Sequence, residues 1–175
     1  VFYLFIAALC FYLLCIVIGV NPWISILGGI AYAYCSYNPV LIAGGHDSKM
    51  LSMTYAPAVL AGLQLIFKQK YWIGSAVLLT SGILLLSQHH QQIVYYTLLM
   101  AVFMTVPFII KSTREKAVKH LLLSGLISIG IGAVILGTMA MTYWPTYEFT
   151  KETMRGGRSE LTQKDKKNVT KGGLD

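Results

Sequence analysis

Two short stretches hold residues suited to chemistry. His46, Asp47 and Lys49 fall in GGHDSKM (residues 44–50), and His89 and His90 fall in QHHQQ (residues 88–92). Lysine serves phosphate as a point charge, and histidine donates a hydrogen bond or shuttles a proton. Lys49 and His46 therefore suit a phosphate or pyrophosphate. Gln88, His89, His90, Gln91 and Gln92 form a dense hydrogen-bonding cluster that suits a substrate. Asp47 can act as a general base or hold a divalent metal. Each has a plainer use. An interfacial lysine snorkels to water or headgroups. Asp47 or Ser48 can cap the helix that follows. QHHQQ can cap a tight helical hairpin. Adjacent histidines on a helix point to different faces, so a zinc site would need His46 and Asp47 from the other stretch.

These residues are conspicuous because so little else is charged. No Asp, Glu, Lys or Arg occurs in the first 46 residues, and Met50 to Phe67 are again free of charge. Charged residues make up 12% of the 175, against about 25% in ordinary soluble domains. Long charge-free runs point to membrane spans of about 20 residues. The expectation is an all-α integral membrane bundle of about six spans, near residues 1–20, 23–43, 51–67, 71–87, 93–110 and 121–142. Asn21-Pro22-Trp23 breaks the first 46 residues into two, and Pro39 kinks or ends the second early. Residues 143–175 are polar and leave the membrane. The chain starts at Val1, inside an apolar run, and stops at TKGGLD, which reads as a fragment of a longer protein.

Orientation follows from the short loops. Lys68-Gln69-Lys70 holds two basic residues, and residues 111–120 hold four Lys and Arg against one Glu. With a hairpin between them, both loops share the cytoplasmic side. Residues 44–50, 88–92 and the 143–175 tail then lie outside the cytoplasm, so three polar clusters meet on one face. Within the tail, Glu148, Arg155, Arg158 and Glu160 are either a solvated face or a phosphate grip. Tyr95 and Tyr96 are interface anchors or stack on a sugar or prenyl chain.

The net charge of +7 is no nucleic-acid signature, because the basic residues sit in short loops and the tail. Cys10, Cys15 and Cys35 match no zinc or redox motif and read as buried thiols. Ser124, Ser128 and Gly132 recur every four residues, with Ala133 and Gly137 nearby, as in closely packed membrane helices.

From GGHDSK onward the chain resembles the YfhO family of bacterial multi-pass membrane proteins. The resemblance covers NPWISILGGIAYAYCSY (residues 21–37), GHDSKMLSMTYAPAVLAG (45–62), HQQIVYY (90–96) and TYEFTKETMRGGRSELT (146–162). It implies the GT-C fold and a glycosyltransferase of the bacterial cytoplasmic membrane. Such a protein takes a sugar from a polyprenyl-phosphate carrier and passes it to a cell-surface acceptor outside the cytoplasm. On the matching positions it implies Lys49 and His46 at the donor phosphate and His90 and Gln92 at sugar or acceptor, and it raises Glu148 and Arg155. Asp47 and His89 stand where the family more often has Asn. The usual catalytic acid of such folds lies in a loop upstream of this chain, which leaves Asp47 as the carboxylate to consider.

Two other classes compete. A transporter or channel would show polar groups at mid-membrane depth and paired broken helices, for which Pro39, Pro57 and Gly28-Gly29 give hints. A noncatalytic scaffold would bind the lipid carrier without turnover.

Overall fold

The computed structural model describes residues 2–114 and 118–152, and every regular element among them is helical. In chain order these are α1 (Phe2–Ile18), α2 (Pro22–Ala33), α3 (Tyr37–Ala43), α4 (Asp47–Phe67), α5 (Tyr71–Leu86), α6 (Gln91–Arg114) and α7 (Val118–Glu152). Among the described residues four stretches are long and apolar enough to cross a membrane: Pro22–Ala43, Asp47–Phe67, Gln91–Arg114 and Val118–Phe149. α1 and α5 are equally apolar but shorter, at 17 and 16 residues. The chain divides into two units, Val1–Leu136 and Gly137–Asp175, each described by itself.

α4 is the hub of the first unit, with 67% of its span buried against 6% for α6. Large apolar side chains such as Trp23, Leu98, Phe103 and Ile129 are exposed on the surrounding helices. A bilayer would cover such faces at no hydrophobic cost. The polar residues buried on α4 are satisfied. Ser52 Oγ donates to Ser48 O and Thr54 Oγ1 to Met50 O, each one turn back.

A proline inside α4 explains one of the interhelical bonds. Pro57 has no N–H for the carbonyl of Met53, four residues earlier. Tyr32 Oη, from α2, donates to that carbonyl at 2.7 Å. A second bond, from Gln64 Nε2 of α4 to Met104 O of α6 at 3.2 Å, ties α4 to α6.

The expected interruption by Pro39 is present but falls earlier, at residues 34–36. Its physical basis is visible at Asn38, which is 1% exposed. Asn38 Nδ2 donates to Tyr32 O (2.9 Å) and Ala33 O (3.2 Å), carbonyls that the broken ladder leaves open. Cys35, expected to be buried, is exposed at this break.

Close approach of backbones sets the packing of α4 on α5. A Cβ on Gly62 would lie 2.6 Å from Leu78 N, and one on Gly74 would lie 2.8 Å from Ile66 N. Gly29 plays the same part between α2 and α1, 2.7 Å from Ala8 O. The small residues of α7 do less than their spacing promises. Ser124 is buried, with its Oγ 3.4 Å from Ile66 O, but a Cβ on Gly132 would meet nothing within 4 Å.

Candidate functional site

The GGHDSKM stretch is not one loop. Residues 44–46 form the turn, and Asp47 to Met50 make the first turn of α4, which starts before the expected residue 51. Gly45 adopts φ +70°, a left-handed conformation that suits glycine. It allows His46 N to bond Leu41 O at 2.9 Å and closes α3. The cap expected from Asp47 or Ser48 is absent. His46 occupies the N-cap position without a side-chain cap bond, and Asp47 is the acid of the first turn. There its charge complements the positive end of the helix. His46 and Asp47 are both exposed.

Lys49 has a partner that its sequence neighbourhood does not advertise. Its Nζ donates to Tyr37 Oη at 2.6 Å and lies 5.2 Å from the centre of that ring. An ammonium has three donors, so two remain for an anion.

The second stretch is a turn between α5 and α6. His89 takes φ 56° and is exposed. His90 O accepts from Ile93 N and Val94 N, which starts α6. Gln92, already on the helix, bonds Tyr96 Oη at 3.0 Å, and Tyr96 lies against Tyr95 with ring centres 5.9 Å apart. His90 Nδ1 is buried without a hydrogen-bond partner.

The two stretches lie at the same end of α4 but at different depths. Extending the Gly62–Leu78 and Ile66–Gly74 register sets Gln88 level with Ser52. α6 runs parallel to α4, matched at Gln64–Met104 and Phe67–Phe108, which sets Gln91 level with Met50 or Leu51. At about 1.5 Å per residue, the 87–90 turn therefore sits roughly 6–9 Å deeper than His46. Of the three ionisable residues in the first stretch, Lys49 and not His46 lies nearest that level.

Below the turn lies a cleft of about 470 Å³, walled by α4, α5, α6 and α7. Leu85, Leu86 and Val94 close its end beneath the turn, and Ser128 and Gly132 line its α7 wall. Its lining is almost wholly apolar, and its volume lies within the range of ligand pockets, about 300–1,000 Å³. No periodicity in the sequence announced it. α5 and α6 are apolar on every side, so the spacing does not tell which faces diverge.

Of the tail residues, Glu148 is exposed on α7 within the second unit, while Arg155, Arg158 and Glu160 lie outside the described residues. α7 itself runs ten residues past the expected end at 142. Among the described residues no group of three His, Cys, Asp or Glu side chains is arranged to hold a metal ion, so His46, Asp47 and the QHHQQ histidines do not form a zinc set.

Comparison of the chain with family models, with curated proteins and with solved structures finds no match.

Proposed function

We propose that this is a membrane glycosyltransferase-like protein of the GT-C class, which moves a sugar from a polyprenyl-phosphate donor to a cell-surface acceptor. One observation carries the reading: an apolar cleft between membrane-type helices ends directly under a polar turn. A lipid-linked sugar has that same division, with an apolar chain, a phosphate and a hydroxyl-rich head.

In this reading α1 and α5 also cross the bilayer, the basic loops face the cytoplasm, and residues 44–46 and 87–90 face outward. Lys49 holds the donor phosphate with the two donors that Tyr37 leaves open. His46 assists from the rim. His90 and Gln92 contact the sugar or the acceptor, and the buried Nδ1 of His90 gains a partner there. The acceptor hydroxyl attacks the anomeric carbon, the bond to the phosphate oxygen breaks, and polyprenyl phosphate leaves. The hydroxyl proton goes to a carboxylate. Asp47 is the one carboxylate among the described residues of the first unit.

A transport reading has one specific observation behind it, the α2–α3 break with Asn38 Oδ1 buried and unpartnered. Broken helices line transport sites when they come in pairs. Here Asn38 Nδ2 closes the freed carbonyls, and Pro57 leaves α4 continuous.

The test uses the protein in proteoliposomes, with a labelled polyprenyl-phosphate-sugar donor, wild type against Lys49→Ala and His90→Ala. The expected result is sugar release in wild type that collapses in both variants. Binding without turnover would assign a scaffold. Absence of both across a panel of donors would overturn the reading in favour of transport.

A further inference from the structure

At the opposite end of α4 lies a second hollow, of about 370 Å³, whose lining is polar and apolar in equal measure. Lys68 and Lys111 stand on its rim, the Phe67 and Phe108 rings form its apolar side 5.4 Å apart, and Ser112 and His120 complete its polar wall. It sits where α4 and α6 end and α7 begins, at the level where membrane-type helices meet water.

The wall is held in place by defined bonds. His120 Nε2 donates to Phe67 O at 3.0 Å, because a carbonyl can only accept. Its Nδ1 is hydrogen-bonded to Tyr71 Oη at 2.8 Å. Lys68 Nζ donates to Val17 O, at the end of α1, which ties the ammonium to the rim. The two loops at this end, residues 68–70 and 111–120, carry six Lys and Arg against one Glu in the sequence.

We propose that this hollow is a binding site for the headgroup of an anionic phospholipid. The two ammonium groups supply charge for a phosphodiester, and the aromatic side accepts the glycerol and the first methylenes of the chains. Basic hollows between membrane helices suit such headgroups, and each lysine near the surface is worth roughly fivefold in affinity. The site does not depend on the glycosyltransferase reading. A plainer role for the lysines is to complement the negative ends of α1, α4 and α6. That role predicts a loss of stability on substitution, with no preference among lipids.

The experiment measures phosphatidylglycerol and phosphatidylcholine binding to the purified protein by native mass spectrometry. It compares wild type, the double variant Lys68→Gln/Lys111→Gln, and Lys70→Gln as a control outside the hollow. The expected result is a preference for phosphatidylglycerol of about tenfold or more in wild type and Lys70→Gln, reduced to near parity in the double variant. Lys111→Gln alone leaves the Lys68–Val17 bond intact, so it carries the test if the double variant does not fold. It should lose about fivefold. Equal binding of the two lipids in wild type, or a preference undiminished in the double variant or in Lys111→Gln, overturns the proposal. Displacement of phosphatidylglycerol by millimolar inorganic phosphate would assign the hollow to a soluble anion and overturn it as well.

Discussion

Tyr32 Oη donates to the carbonyl of Met53 at 2.7 Å, and that carbonyl is open because Pro57 follows four residues later. A hydroxyl on α2 thus completes the backbone of α4. In a low-dielectric interior an unpaired carbonyl is costly, so the bond ties the two helices together at a fixed level.

Removing that hydroxyl should matter only while the proline is present. Tyr32→Phe is expected to destabilise the protein by about 0.5–1.5 kcal/mol. In a Pro57→Ala background the restored N–H serves Met53 O, and the same change should cost about half as much or less. A double-mutant cycle read by reversible unfolding in micelles decides the matter. Equal costs in both backgrounds would mean that the proline is not what makes the bond valuable.

The glycines separate close packing from open space. Gly62→Ala sets a methyl 2.6 Å from Leu78 N, on backbone that cannot move aside alone. A loss of about 1–3 kcal/mol is expected. Gly132→Ala meets nothing within 4 Å and removes a poor helix former, so it should be neutral or stabilise by up to about 1 kcal/mol. Thermal unfolding of the two variants side by side tests the contrast.

Much of this was readable from residue types. The charge-free runs located the helices to within a few residues except at the end of α7, ten residues past its expected end at 142, and Asn21-Pro22-Trp23 marked the break before α2. The partners were not readable. Tyr32 lies 21 positions from Met53, and Gln64 lies 40 from Met104. In a chain apolar on every side, no polar stripe tells which face of a helix meets which neighbour. The same uniformity hid the depth difference between His46 and the 87–90 turn. It follows from where Gly62 and Gly74 let α5 close on α4, a matter of contact rather than of composition. The small-residue spacing of α7 misled for a related reason. At Gly132 it borders a cleft instead of a helix.

Gln69 closes α4 with φ 65°, a left-handed conformation in a residue that carries a Cβ. Lys70 N bonds Leu65 O at 2.9 Å across it, so the turn is fixed by the ladder and not by the side chain. Gln69→Gly should relieve the strain and raise stability by about 1 kcal/mol. A melting temperature unchanged or lowered relative to wild type would show that the side chain contributes more than its conformation costs.

The cleft can be closed without disturbing the packing that surrounds it. A large side chain at Gly132 has open space before it, since a Cβ there meets no atom within 4 Å and the residue lines the 470 Å³ volume. Gly132→Phe is therefore expected to fold with a melting temperature close to that of wild type. If the cleft holds the apolar chain of a lipid carrier, the ring displaces that chain, and affinity for a polyprenyl-phosphate-sugar should fall by about tenfold or more. Lys49→Ala acts at the other end of the same ligand, removing charge but leaving the cleft open. It should weaken binding of the phosphorylated carrier while leaving a neutral polyprenol unaffected, whereas Gly132→Phe should weaken both. Equilibrium binding of the two ligands to the two variants separates these outcomes. Undiminished carrier affinity in a folded Gly132→Phe protein would remove the cleft from the site.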